Sequence, residues 1–416
     1  MAKENEIKTA VPALRFPEFL DTESWGNDTV NNLVDIITPP KKIILQKYLN
    51  EGDYPIVDQS QKYISGWTND KTAVISKASL DNPIIIFGDH TCILKRITFP
   101  FAQGADGIKV LKSKDTIDGN FLYQALLVCP VVQEEYKRHF SILKQKEVFF
   151  PSIKSGEQQK IADCLSSLDE LIEATTQKVE TLKEHKKGLM QRLFPAEGKN
   201  VPDLRFPEFQ GTSAWEEKKL GDVVEIKGRI GFRGYTTKDI VEQGDGAISL
   251  SPTNIADNGI LNFEKSTYIS WEKYEESPEI QLKKGYIVLV KTGSSYGKSA
   301  LVKELPTKTT VNPQIVVLKP KEGINEHFIS ALISHSMVQR QIKCAVVGGA
   351  IPTLSQESIS KFDILYPKKT SHKPSEQEKI ADCLSSLDEL IEATSRKVEI
   401  LKDHKKGLMQ QLFPKI

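Results

Sequence analysis

Two stretches of the chain gather residue types that carry chemistry in other proteins, and both fall short of the motif they resemble. Gly293-Ser294-Ser295-Tyr296-Gly297-Lys298-Ser299 has the glycines, lysine and hydroxyls of a phosphate-binding loop. A Walker A loop needs four residues between its glycines so that successive backbone N–H groups wrap the phosphate, and this one has three. With no clear acidic Walker B partner, it reads as a Gly-rich hairpin that can approach a phosphate rather than hydrolyse a nucleotide. Glu135-Tyr136-Lys137 has the Glu-x-Lys end of a nuclease motif. It lies in a helical stretch without the matching upstream Pro-Asp, which predicts a solvated face. None of the seven histidines has HExxH or other metal-ligand spacing. His185 and His404 fall near the ends of two helical stretches, where cations are favoured. No signature for S-adenosylmethionine or for a flipped adenine is present. The chain shows no catalytic constellation.

The chemistry that remains is recognition. Two segments carry turns rich in the polar, aromatic and basic groups that a duplex reader needs. In the first these are Gln59, Ser60, Lys62, Tyr63, Trp67, Thr68, Asn69, His90 and Lys109. In the second they are Lys227, Arg229, Arg233, Tyr235, Thr253, Asn254, Lys291, Ser294, Tyr296, Lys298, Asn312 and Gln314. Arg, Lys, Asn and Gln read base edges, while Ser, Thr and Lys also hold phosphates. The same residue types also make ordinary solvated turns.

The elements around these turns are short. YPIVDQSQKYISGWTND (Tyr54–Asp70), NPIIIFGDH (Asn82–His90) and FPFAQGADGIKVL (Phe99–Leu111) alternate β-branched or aromatic runs with Gly, Asp, Asn and Pro. That pattern predicts a mostly β core, followed by a helix over Phe121–Phe140. The second segment repeats the order, with GAISLSPTNI, KKGYIVLVKTGSSYGKSALV and VNPQIVVLKP as strands and turns and NEHFISALISHSMVQRQI as a helix. Both are predicted to be α+β domains of one type with diverged loops.

Behind each segment lies a long amphipathic helix, and the two helices are near copies. Glu157–Pro195 and Glu376–Pro414 lie 219 residues apart and differ at six of 39 positions. Ile161, Leu165, Leu168, Ile172, Thr175, Val179, Leu182, Lys186, Leu189 and Leu193 are spaced four and three throughout, and Ile380 to Leu412 repeats the seam. A period of 3.5 kept for more than four heptads predicts a coiled coil. Ser155 with Gln158, and Ser375 with Glu378, are capping-box starts; Pro195 and Pro414 are stops. Two seams in one chain pair most simply with each other, in antiparallel fashion, with the domains at opposite ends of the rod; pairing between copies of the chain is the alternative. Leu171, Met190 and Phe194, with Leu390, Met409 and Phe413, leave apolar surface outside the seam. One partner docking twice, or a recent duplication, accounts for their repetition.

The duplication extends to the lead-in peptides. VPALRFPEF (Val11–Phe19) returns as VPDLRFPEF (Val201–Phe209), and Trp25 as Trp215. The expected organisation is a recognition domain over 11–153, a helix over 154–195, a linker over 196–200, a second domain over 201–370 and a second helix over 371–416. The expected architecture is α+β: two domains related by a pseudo-twofold axis and separated by a long antiparallel two-helix coiled coil.

Bulk properties narrow the class. The formal net charge is +1, and residues 1–154 and 201–370 carry 0 and +2. Any nucleic-acid binding must come from local patches rather than a global field. The five cysteines lack CxxC spacing and predict reduced, buried thiols in a cytoplasmic protein. No apolar run approaches the roughly 20 residues of a membrane span.

Taken together, LRFPEF with its Trp, a diverged domain and a helix bearing EQ(Q/E)KIADCLSSLDELIE and KKGLMQ(R/Q)LF, all present twice, resemble the specificity subunit of type I restriction-modification systems. The resemblance covers nearly the whole chain. YPIVDQSQKYISGWTND, IIIFGDH and GADGIKVL look like one variety of that family's target-recognition domain, and AVVGGAIPTLSQESISKFDILYP (Ala345–Pro367) is similar to the closing segment of another. It implies a non-catalytic subunit whose domains each read half of a bipartite double-stranded DNA target, with the helix pair setting the gap. It further implies two docked modification subunits that supply S-adenosylmethionine and adenine-N6 methylation. Two restriction subunits, with ATP and Mg, could join them. A coiled-coil adaptor without DNA reading, and a self-contained restriction or methylation enzyme, are the competing classes.

Overall fold

The seam positions of both long helices are the ones that lose solvent. In the computed structural model, which describes residues 10–105, 107–134, 138–231, 234–345 and 353–414, the helices run Glu157–Leu193 and Glu376–Leu412, 37 residues each. Every residue from Ile161 to Leu193 and from Ile380 to Leu412 on the predicted seam is buried or half-buried. The chain forms two compact units, Met1–Gln177 with Ser395–Ile416, and Lys178–Thr394. Each unit holds one globular domain, the start of one long helix and the end of the other.

In the first unit the helix ends run antiparallel, tied by Lys405, whose Nζ donates to both carboxylate oxygens of Asp169 at 2.7 Å. In the second, Lys186 Nζ donates to Asp388 at 2.5 Å. Both lysines occupy seam positions. A long side chain there lays its methylenes along the apolar seam and carries its charge to the rim.

The two helix starts differ in detail. Ser375 and Glu378 form the predicted capping box: Ser375 N donates to Glu378 Oε2 at 2.7 Å and Glu378 N to Ser375 Oγ at 3.4 Å. The first helix has no such box, because Gly156 is interposed in a left-handed turn (φ 80°) and Ser155 closes a short 3-10 turn instead. Gln158 is thereby released to accept from Asp118 N at 2.7 Å, at the N-cap of the domain helix Gly119–Val128. Gln377 does the same for Asn325 N at 3.2 Å, at the N-cap of Glu326–Ser334. The second residue of each long helix therefore locks its domain's own helix.

Within the first domain, one antiparallel sheet orders strands Val34–Ile37, Ile108–Ser113, Ile84–Gly88 and Leu94–Ile97. A second orders Gly66–Thr68, Tyr54–Val57, Phe101–Gln103 and Val74–Ile75, with Tyr54–Val57 parallel to Phe101–Gln103. The second domain repeats the first sheet as Val224–Gly228, Ile315–Pro320, Ile287–Val290 and Ser299–Leu301. Its second sheet keeps the parallel pair, Gly246–Leu250 with Thr309–Val311, but its two-residue strand Ile240–Val241 joins Thr267–Ser270 at the other edge. Shared sheets with a displaced edge strand are what a duplicated frame with diverged loops requires.

Three expectations are corrected. The helix predicted over Phe121–Phe140 stops at Val128, ahead of Pro130, and a short second one runs Phe140–Gln145. The helix predicted after Asn325 breaks at His335, which is extended (ψ 148°) and whose ring accepts from Met337 N to begin Ser336–Cys344. The cysteines are free, but Cys344 is exposed and the other four are half-buried.

Candidate nucleic-acid interface

The lead-in peptides fasten the frame from which the loops project. Arg15 grips Glu157, the first residue of the first long helix, through Nε–Oε1 and Nη2–Oε2 contacts of 2.7 Å each. Its remaining donors reach the Thr22 and Glu23 carbonyls. Leu14 N donates to Gln411 O at 3.0 Å, so the same peptide holds the end of the second long helix. Arg205 repeats the grip on Glu376 at 2.7 Å, and Leu204 N donates to Arg192 O at 2.8 Å. A bidentate guanidinium–carboxylate pair is both short and directional, which suits an anchor.

Each unit closes its core over this joint. Phe413 lies 6.1 Å from Trp25 and 5.2 Å from Phe121, centroid to centroid. Phe194 lies 5.9 Å from Trp215 and 5.4 Å from Phe328. Phe194 and Phe413 are 1% and 4% exposed. They are core residues, not docking surface, because the helix ends at the preceding leucine and the chain turns each ring inward. Met190 and Met409 pack half-buried against the same cores. Leu171 and Leu390 remain exposed.

In the first domain, Gln59, Ser60, Lys62 and Tyr63 sit on the turn between the paired strands Tyr54–Val57 and Gly66–Thr68. That turn meets the one holding His90: Thr91 Oγ1 donates to Gln59 O at 3.1 Å. It also meets the turn at Gly107, where a Cβ would fall 2.6 Å from Gln59 Nε2. Asp58 organises the turn, accepting from Ser60 N at 2.9 Å and Ser65 Oγ at 2.5 Å. Burial works against its charge, but those hydrogen bonds and the nearby Lys95 ammonium outweigh it and hold its carboxyl below the usual range. Lys95, itself buried, donates to the carbonyls of Asp58 at 2.7 Å and Lys62 at 2.5 Å. Burial pushes its pKa down, with Asp58 opposing. Lys109 lies 5.4 Å over the Phe140 ring. Trp67 and Asn69 belong to a different neighbourhood, beside the turn at Leu49–Asp53, where Asn69 Oδ1 accepts from Asp53 N at 2.9 Å. Thr68 is buried and accepts from Asp70 N, which makes it part of the turn's frame.

In the second domain, Lys291–Lys298 forms the predicted hairpin between strands Ile287–Val290 and Ser299–Leu301, with Gly293 and Gly297 at φ 98° and 87°. Lys291 N donates to Gln314 O at 2.8 Å, which brings the turn of Asn312 and Gln314 against the hairpin. Ser294, Thr253 and Gln314 are exposed. Lys298 pairs with Asp257 at 2.5 Å and Lys227 with Glu225 at 2.9 Å. Tyr296 packs on the core. Three candidates are turned inward. Asn254 donates to the Asn262 and Lys265 carbonyls, Asn312 stays in its own turn with Gln314, and Arg229 Nε donates to Val311 O at 3.2 Å. The Arg229 guanidinium also lies 5.6 Å over the ring of Tyr235, whose hydroxyl accepts from Ser249. Arg233 and Glu135-Tyr136-Lys137 lie outside the described residues.

Lys95, Asp58, Arg15 and Arg205 were missed as site-building residues. The repetition of Arg15 and Glu157 as Arg205 and Glu376 was the available signal for the anchor. Nothing in the sequence marks Lys95. Among the described residues no cluster of His, Cys, Asp and Glu is placed to hold a metal ion, and no helix is long and apolar enough to cross a membrane.

This arrangement has counterparts. The family model "Type I restriction modification DNA specificity domain" matches twice, over residues 23–184 and 212–402. A specificity subunit of the type I restriction enzyme MjaVIII from Methanocaldococcus jannaschii is 23% identical over 99% of this chain and 96% of its own. The crystal structure of a type I restriction-modification S subunit from M. genitalium superposes with a TM-score of 0.66 at 18% identity, covering 97% of this chain and 99% of that one. A second solved structure, described as concerning complex assembly and conformational transition of the type I R-M system, gives a TM-score of 0.51 at 12% identity over 93% and 96% of the two chains.

Proposed function

Because the chain belongs to the type I restriction modification DNA specificity domain family, matched once over each half, we propose that each of its domains reads one half of a bipartite DNA target. It is the specificity subunit of a type I restriction-modification system. The observation that carries the two-reader reading is the contrast between parts. The Arg–Glu anchor, the aromatic closure at the helix ends and the strand order of the first sheet recur in both domains, whereas the loops they present do not. In the first domain, Gln59, Ser60, Lys62, Tyr63, His90 and Lys109 form the reading face. In the second, the Lys291–Lys298 hairpin with Thr253 and Gln314 does so.

The helix pair sets the gap between half-sites. Two linked weak readers gain affinity through effective concentration only when the spacing fits, and a chain of near-neutral charge needs that gain. Two modification subunits dock on repeated surface that includes Leu171 and Leu390. They bring S-adenosylmethionine and adenine-N6 methylation, and restriction subunits add ATP- and Mg-dependent steps. This chain itself is non-catalytic and works in the cytoplasm.

Modified-base sequencing of genomic DNA, with and without this chain, tests the reading. Loss of N6-methyladenine from one gapped, two-part motif is the expected result. An unchanged methylome, with this chain and a modification subunit both expressed, would sink it.

A further inference from the structure

One basic surface of the first domain is used by nothing described so far. The turn after strand Val34–Ile37 reads Lys41-Lys42-Ile43-Ile44-Leu45-Gln46-Lys47. Ile43 fixes it, being buried beside Ile56 and Ala102, with its N–H donating to Gln103 O at 2.9 Å. The next two side chains face solvent, with Ile44 54% and Leu45 64% exposed. Lys41, Lys42 and Lys47 flank them in the sequence and, together with Ile44, Thr68 and Asp70, line a cleft of about 270 Å³.

We propose that this turn is a DNA-backbone grip, with its three lysines on phosphates and Ile44–Leu45 against the sugars of a groove wall. The proposal rests on the reading of the chain as a DNA specificity subunit. Two solvent-facing aliphatic side chains favour a partner that covers them, and the surrounding charge decides which partner. Lysine is depleted in the core of protein–protein interfaces and is a standard phosphate ligand at DNA. The turn also adjoins edge strand Gly66–Thr68 through Leu49 and Trp67, and that strand leads directly out of the turn that carries Gln59 to Tyr63. Lys41 is paired with Asp70 at 2.5 Å, and Glu51 and Asp53 lie on the following turn. Phosphate would replace Asp70 Oδ2 as the partner of Lys41, while Asp70 Oδ1 keeps its hydrogen bonds from Thr72. In the second domain the segment after strand Val224–Gly228 begins with Arg229, whose side chain turns inward to Val311 O at 3.2 Å.

The test uses the full-length subunit assembled with its modification subunit, and a duplex carrying the motif found by modified-base sequencing. Affinity is measured against salt concentration. Lys41→Gln/Lys42→Gln/Lys47→Gln should lower the slope of log affinity against log salt by about two to three, since each phosphate contact contributes about 0.9. Ile44→Gln/Leu45→Gln should weaken binding roughly tenfold with the slope unchanged. Wild-type slope and affinity in both variants, with unchanged thermal unfolding, would overturn the grip while leaving the specificity reading intact. Loss of modification-subunit association with unchanged DNA slope would overturn it in favour of a protein-facing surface. Failure of the wild-type complex to prefer the motif would instead remove the specificity reading itself.

Discussion

Asp169 accepts two 2.7 Å hydrogen bonds from Lys405, a residue 236 positions later on the other long helix. A third arrives at 2.9 Å from Gln124 of the first domain. The equivalent pair, Lys186 and Asp388, has a single contact and more exposed side chains. The two units therefore use one device at two depths. A double-mutant cycle on Asp169→Asn and Lys405→Met should give a coupling of about 1–2 kcal/mol, after allowance for the exposed face of Asp169. The cycle on Asp388→Asn and Lys186→Met should give about half as much. Equal couplings in urea unfolding would contradict the difference in burial.

Arg15 and Glu157 form a buried pair at 5% and 1% side-chain exposure. Arg15→Met leaves the carboxylate buried without its partner and should destabilise the first unit by about 3–5 kcal/mol. Adding Glu157→Gln should recover part of that loss, because the uncompensated charge disappears. Chemical denaturation followed by Trp25 fluorescence reads both steps. No recovery in the double variant would show that the guanidinium acts through packing alone.

Lys95 holds the recognition turn by its Asp58 and Lys62 carbonyls. Lys95→Met fills the same space but leaves two carbonyls unsatisfied, at a cost of about 1–3 kcal/mol. Methylation in cells expressing this variant should lose or change one half of the two-part motif and retain the other. Parallel changes in both halves would argue against independent readers.

His335 is buried at a helix start, with its ring 5.2 Å from Phe194. Burial, and then the charge of Arg340, hold its pKa below the usual 6.5. A histidine whose folded pKa is depressed takes up its proton more readily when unfolded. Its contribution to stability is therefore present above about pH 6.5 and declines as pH falls from there toward the depressed folded value. The unfolding midpoint of the second unit should drop between pH 7.5 and 5.5, and His335→Asn should flatten that slope while keeping a cap acceptor.

Within the first unit the Asp169–Lys405 contact sets the register of facing residues, which puts Gln177 level with Lys397. A seven-residue repeat inserted after Gln177 and another after Arg396 keeps the seam and adds about 10 Å of helix. The preferred gap between half-sites should grow by about three base pairs. An unchanged gap with full methylation would refute the helices as its determinant.

The seam, the β-rich segments and the duplication were legible because each is periodic or repeated within the sequence. Ile161 to Leu193 needed only spacing. The joints were not legible, because Arg15 meets Glu157 across 142 positions, and no local pattern announces which distant carboxylate a guanidinium will find. Phe194 and Phe413 show the opposite failure. Their repetition marked importance, but only the end of the helix one residue earlier reveals that they turn inward. Among the candidate contacts, Asn254, Asn312, Thr68 and Arg229 have the chemistry of readers, yet the turns themselves use up that chemistry.

The order in which these parts leave the ribosome follows from how the units are composed. The second unit is one continuous stretch, Lys178–Thr394, so it can begin to fold as soon as that stretch has emerged. The first unit begins earlier but stays open, with Trp25 and Phe121 lacking the ring of Phe413 and Asp169 lacking Lys405, until residues 395–416 follow. At about 5–20 residues per second, that leaves an exposed aromatic face for some ten seconds or more. The domain translated first is thus the one that matures last.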